Sequence, residues 1–108
     1  MAKKEGNSSN NKINGTKGSD ELYGYKGRDT LNGLDGNDYL FGGNDDYGSD
    51  VLIGGKGDDT LYSGVGNDTL IGGPGADRFI MTDIDHNDEF LKDFNPAQDD
   101  TIEIPNPY

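Results

Sequence analysis

The chain contains no cysteine and no tryptophan, and His86 is its only histidine. Without cysteine no disulfide can brace it. With a single histidine neither a zinc site of the usual nitrogen and sulfur ligands nor a hydrolytic triad is expected, so His86 reads as a surface residue. Paired carboxylates are plentiful, but no groove-forming scaffold for glycoside chemistry is evident, and the chain is expected not to be an enzyme. Basic residues are scarce: 9 Lys and Arg stand against 21 Asp and Glu, a formal net charge of -12 with a pI near 4.1. A basic patch for nucleic acid or an anionic lipid surface is missing, which leaves cations as the expected partners. No apolar run reaches 18 residues, so membrane insertion by a helix is not expected either. Hydrophobic residues make up only 30% of the 108, and 18 glycines add backbone entropy that folding must overcome. Burial is a weak basis for such a fold, and a bound metal is the remaining staple.

Residues 1–14 hold two lysines with no apolar stretch behind them, so a cleaved secretory signal is not expected. Their Asn, Ser and Gly content reads as a disordered, solvated tail or the cut end of a longer protein.

From residue 15 the chain becomes periodic. Residues 15–80 divide into the nonapeptides GTKGSDELY, GYKGRDTLN and GLDGNDYLF, an irregular GGNDDYGSDVLI, then GGKGDDTLY, SGVGNDTLI and GGPGADRFI. Position 4 is glycine in all seven units (Gly18, Gly27, Gly36, Gly48, Gly57, Gly66, Gly75). Position 6 is always aspartate (Asp20, Asp29, Asp38, Asp50, Asp59, Asp68, Asp77), and position 8 is always large and apolar (Leu22, Leu31, Leu40, Leu52, Leu61, Leu70, Phe79). The first six residues of a unit are turn formers, while the last three alternate as a strand must, with one apolar side chain inward. A loop after each short strand turns the chain around, so two units make one 18-residue coil and successive coils stack about 4.8 Å apart as two facing parallel sheets. Units one, three, five and seven then supply one sheet, and two, four and six the other. Position 9 of the first sheet gathers Tyr23, Phe41, Tyr62 and Ile80, with Tyr39 at position 7; the other shows Val51, Ile53, Thr69 and Ile71. These columns read first as cross-strand packing, and second as a face for a protein partner or an upstream catalytic domain.

The pattern GGxGxDxUx, seven units in one phase, resembles the calcium-binding RTX repeat of bacterial exported toxins, proteases, lipases and epimerases, over about 60% of the chain. The departures are Thr16, Tyr25 and Leu34 at position 2, Ser63 at position 1 and the inserted Asp45 to Tyr47. The resemblance implies an all-β, right-handed parallel β-roll stapled by Ca2+. Each ion would lie between neighbouring same-side loops, held by both position 6 aspartates and by loop carbonyls. That makes Asp20, Asp29, Asp38, Asp50, Asp59, Asp68 and Asp77 the implied side-chain ligands, and Gly18, Gly27, Gly36, Gly57, Gly66 and Gly75 the implied backbone contacts. Asp20, Asp38, Asp59 and Asp77 share one edge and Asp29, Asp50 and Asp68 the other, which gives about five ions. Asp35 and Asp58 read as solvated loop charges. Residues 81–108 break the period and resemble the segment that closes RTX rolls, through Asp93-Phe94 and Asp100-Thr101-Ile102. Phe90, Phe94, Ile102 and Ile104 are its candidate lid residues, and Asp83, Asp85 or Asp88 an additional ligand. The function implied is a calcium-binding module of a type I secreted, extracellular protein that folds on meeting calcium outside the cell. The alternatives are an adhesion or ice-binding module and an accessory module of a secreted protease or mannuronan epimerase.

Overall fold

The computed structural model describes residues 2–7, 9–43, 50–62, 68–80, 90–91 and 101–103. Each repeat places its last three residues in a strand, which Asp20 also joins in the first unit, and the described residues before it form turns, since Gly, Asn and Asp are turn formers and the T-L-x triplets favour the pleat. Strands β3 (Asp20–Tyr23), β4 (Thr30–Asn32), β5 (Tyr39–Phe41), β6 (Val51–Ile53), β7 (Thr60–Tyr62), β8 (Thr69–Ile71) and β9 (Arg78–Ile80) come from the seven units in order. With β1 (Ala2–Glu5) and β2 (Lys12–Asn14) before them and β10 (Phe90–Leu91) and β11 (Thr101–Glu103) after, they sort by parity into two parallel sheets, one ordered β1-β3-β5-β7-β9-β11 and the other β10-β8-β6-β4-β2, so the chain is a parallel β-roll of about four turns. Position 8 aligns with position 8 throughout: Leu22 with Leu40, Leu40 with Leu61, Leu61 with Phe79, Leu31 with Leu52, and Leu52 with Leu70. These seven side chains are fully buried and form the core with Ile13, as the strand alternation requires. The three-residue insertion leaves the register intact, since the coils that contain it are simply 21 residues long.

The expectation of a disordered tail over residues 1–14 is corrected by two strands. β1 (Ala2–Glu5) pairs in parallel with β3, and β2 (Lys12–Asn14) pairs with β4, with Ile13 opposite Leu31 and buried. Composition pointed to disorder because it weighs the segment alone. The edge ladder of the next coil offers it backbone partners that a free tail lacks. At the other end β10 (Phe90–Leu91) joins β8 and β11 (Thr101–Glu103) joins β9, each parallel to its neighbour. The remainder of 81–108, with Asp83, Asp85, His86, Asp88, Asp93, Phe94, Asp100 and Ile104, lies outside the described residues, as do Asp45 to Tyr47.

Outside the six-stranded sheet the position 9 rings pack on one another, Tyr23 with Phe41 at 6.0 Å and Phe41 with Tyr62 at 4.9 Å between centroids. Burial and the Glu21 carboxylate that accepts its hydroxyl push the Tyr23 phenol up to about 12.

Coil stacking makes one glycine requirement absolute. Gly57 has φ +108, and a β-carbon there would run into the carbonyl oxygen of Gly36 in the preceding coil. Gly57→Ala therefore meets both strain and backbone, at a cost of about 1–3 kcal/mol or more. Its thermal midpoint under folding conditions should fall clearly below the parent's; an unchanged midpoint would mean that the loops are not stacked this closely.

Candidate metal centre

Every position 6 aspartate is buried, at 1–3% exposure, along the two edges where loops stack. Their burial begins with the backbone. On one edge the Asp20 amide donates to Asp38 Oδ1 (2.8 Å), Asp38 to Asp59 Oδ1 (2.8 Å) and Asp59 to Asp77 Oδ1 (3.0 Å). On the other the Asp29 amide donates to Asp50 Oδ1 (2.7 Å) and Asp50 to Asp68 Oδ1 (2.9 Å). One carboxylate oxygen thus extends the sheet ladder by a rung beyond the last backbone pair. The backbone carbonyls of Asp29, Asp38, Asp50 and Asp59 are also spent, each accepting from position 7 of the next coil.

The second oxygen has no such role at Asp38 and Asp59, where Oδ2 is buried without a hydrogen-bond partner. It lies over the position 1 glycine of its own loop: a β-carbon on Gly33 or Gly54 would come within 2.5 Å of it. Glycine at position 1 is therefore the space into which the carboxylate folds. A buried carboxylate oxygen without a donor is costly unless a proton or cation reaches it. Burial accordingly pushes the Asp38 carboxyl up to about 6, with the neighbouring Asp20 charge adding to it, and Asp59 up to about 8, with Asp77 and Asp38 adding.

Loop carbonyls also line up from coil to coil. The position 4 carbonyls of Gly18, Gly36 and Gly57 face Gly36, Gly57 and Gly75 of the following coil, and the position 2 carbonyls of Tyr25, Leu34 and Gly55 face Gly43, Gly55 and Gly73. Positive φ accompanies them at Gly27, Gly36, Gly57 and Gly75 and also at Tyr25 (66°) and Leu34 (70°), while Gly18 presents its carbonyl without it. The two large residues take the left-handed conformation at about 1–2 kcal/mol each, so the loop geometry overrides their preference. Among the described residues no three His, Cys, Asp or Glu side chains gather at one point. The donor set is therefore carboxylates two at a time with backbone oxygens, all hard oxygen ligands, and this fits a large, geometrically tolerant dication such as Ca2+ better than octahedral Mg2+.

The implied glycine contacts divide. Gly27, Gly36, Gly57 and Gly75 have positive φ, Gly18 does not although its carbonyl faces Gly36, and Gly66 lies outside the described residues. Asp35 is exposed as expected, whereas Asp58, also exposed, is more than a solvated charge: its Oδ1 accepts the Ala76 amide at 2.9 Å, and its own amide donates to Asn37 Oδ1 at 2.8 Å. Position 5 is thus a second, outer staple between loops. The sequence signal was the run Ser19, Asn37, Asp58 in corresponding units, all short acceptors.

The raised carboxyls predict an unusual pH response. The folded chain holds these protons more tightly than the unfolded chain, so their contribution favours the metal-free roll below the ordinary Asp range near 4 and is lost as pH rises through about 6 for Asp38 and about 8 for Asp59. In metal-free buffer, circular dichroism should show more β-structure at pH 5 than at pH 8.5. The opposite order would mean that the carboxylates are not buried as charges.

A family model described as the RTX calcium-binding nonapeptide repeat, in four copies, matches residues 5–40, 14–47 and 46–79. Comparison with curated proteins and with solved structures gives no match. The matched span, 5–79, covers 75 of the 108 residues and begins within β1, ten residues before the first regular unit. It takes in both carboxylate edges, and on that agreement of repeat, roll and oxygen-lined loops the chain belongs to the RTX calcium-binding nonapeptide repeat family, whose repeats bind Ca2+.

Proposed function

We propose that the chain is a calcium-folded module of an exported protein, its ions seated between same-edge loops. The observation that carries this is the buried Oδ2 of Asp38 and Asp59, which no hydrogen-bond donor reaches and which a cation would satisfy. The ligand pairs are Asp38/Asp59 and Asp59/Asp77 on one edge and Asp29/Asp50 and Asp50/Asp68 on the other, completed by the loop carbonyls of the glycines at position 4. Asp20/Asp38 is a fifth pair, and five is the upper number of ions from these loops. When bound, Ca2+ supplies the positive charge that lets stacked carboxylates stay ionised out of water. The chain's own part is to hold Oδ1 on the ladder, aim Oδ2 at the gap between loops and exclude solvent with the position 8 core. The β-roll itself is a structural calcium-binding module and not a catalytic fold.

Export follows from the affinity such sites have. Calcium sites of extracellular modules in general bind at about 0.1–1 mM, whereas cytosolic sensors work at about 0.1–10 μM. A chain of net charge -12 would remain unfolded where calcium is scarce and close where it is abundant. The calcium midpoint of the gain in β-structure tests this. A midpoint of order 0.1–1 mM supports folding outside the cell, and one below about 10 μM rules it out, because the cytosol would then suffice.

A further inference from the structure

The first coil of the roll, residues 6–23, is built differently from those that follow. Register places Ile13 opposite Leu31 and Asn14 opposite Asn32, so Asn11 is the counterpart of Asp29 and Ser9 of Gly27. GNSSNNKIN is therefore a degenerate unit in which a neutral amide stands where the repeat has its carboxylate. Asn11 Oδ1 accepts the Asn7 amide at 2.9 Å, Asn7 Oδ1 accepts the Ser9 amide at 2.8 Å, and the Asn11 amide donates to Asp29 Oδ1 at 2.8 Å. The loop is closed by its own side chains.

The next loop, residues 15–20, has the aspartate but is closed in the same manner. Thr16 donates its amide to Asp20 Oδ2 at 2.6 Å and shares its hydroxyl between Asp20 Oδ1 (2.9 Å) and Oδ2 (3.0 Å), while the Gly18 amide donates to Thr16 Oγ1 at 3.1 Å. Asp20 Oδ2 is thus engaged by Thr16, in contrast to the partnerless Oδ2 of Asp38 and Asp59. The backbone differs accordingly. Position 2 has positive φ at Tyr25, Leu34, Gly43, Gly55 and Gly73 but not at Asn7 or Thr16, and position 4 has it at Gly27, Gly36, Gly57 and Gly75 but not at Gly18. Both loops of the first coil therefore lack the open carboxylate of the later ones, and Asn7, Thr16 and Gly18 lack their positive φ, although Ser9 and Gly18 still present carbonyls to Gly27 and Gly36.

Below this coil, β1 sets Lys4 at the register of Leu22, the position that is Leu, Ile or Phe in the repeats above it. Lys4 is exposed and its Nζ donates to the Asn14 carbonyl at 2.8 Å. A charge at the core position ends the apolar column, as sheet edges commonly do to prevent further pairing.

We propose that residues 2–23 form a metal-free cap, with Thr16 as the residue that shuts the Asp20 loop, so that the calcium array starts at the second coil and has four of the five pairs. This rests on the inter-loop reading of the calcium sites. A neutral Asn11 removes the charge that would call for an ion, and Thr16 supplies Asp20 with the donors that elsewhere a cation must replace.

The test counts calcium bound to the full chain by equilibrium dialysis at saturating calcium. Asp20→Asn should bind as many ions as the parent. Thr16→Gly, which restores the glycine that the repeat has at position 2, should bind one more. Asp59→Asn should bind at least one fewer. An ion lost in Asp20→Asn, or no ion gained in Thr16→Gly, overturns the cap while leaving the inter-loop sites standing. An unchanged count in Asp59→Asn instead overturns the inter-loop sites themselves.

Discussion

In chelator the chain should give the circular dichroism of an unordered polypeptide, and in millimolar calcium that of a β-protein. The expected change is close to all-or-none because the same ions that neutralise the loops also hold the coils in register. Eight side chains make the buried core of the described residues, a single layer between two sheets. That layer is shared by strands of three or four residues, each of which exposes its other face. Against it stand seven buried aspartates, two of them with an Oδ2 that finds no donor. Without metal these charges must be stripped of water, repel along each edge, or take up protons, and at neutral pH all three oppose folding. Magnesium at equal concentration should leave the spectrum unchanged, because it keeps its waters and demands an octahedral cage that paired carboxylates and carbonyls do not offer. Identical spectra with calcium and with chelator would refute the account of what holds the roll together.

Asp59→Ala should be the most damaging single change at a loop. Asp59 belongs to two of the proposed ligand pairs, and its Oδ1 is also the acceptor for the buried Asp38 amide. With calcium at ten times the dissociation constant, each site contributes about 1.4 kcal/mol, so two lost sites remove about 3 kcal/mol. The orphaned amide adds about 1–3 kcal/mol. Such a loss is a large part of the stability of a small domain, so the calcium midpoint should rise several-fold and the transition should broaden as the roll divides around the defect. Asp20→Ala, at the terminal coil, should leave the midpoint nearly where it was. Asp35→Ala, which removes an exposed loop carboxylate, is the control. Asp58→Ala is unsuitable for that purpose because it would cut the staple to the Ala76 amide. Calcium titrations followed by circular dichroism compare the three variants; equal midpoints for Asp59→Ala and Asp20→Ala would refute the shared-site arrangement.

The periodic part of this protein was legible in its residues. Glycine at position 4, aspartate at 6 and a large apolar residue at 8, in one phase over seven units, dictate a short strand with one inward side chain and a loop before it. A strict period leaves little choice of register, so the two sheets, the leucine core and the two aspartate edges all follow. The insertion at residues 45–47 did not disturb this, since only the strand triplets must align. Stacking decided the rest. Residues 2–14 share little with the repeat beyond Gly6 and Ile13, and Ala2–Glu5 and Lys12–Asn14 become strands because the next coil presents an open ladder to them. The two oxygens of one aspartate acquire different surroundings, one a ladder acceptor and, at Asp38 and Asp59, the other buried without a donor, only when a second loop lies 18 or 21 residues away in sequence but one strand away in space. Thr16 likewise reads as a lapse from the glycine of position 2 until its hydroxyl is seen on Asp20. A nonapeptide contains its own strand and turn, but the hydrogen bonds between coils belong to residues that no single unit contains.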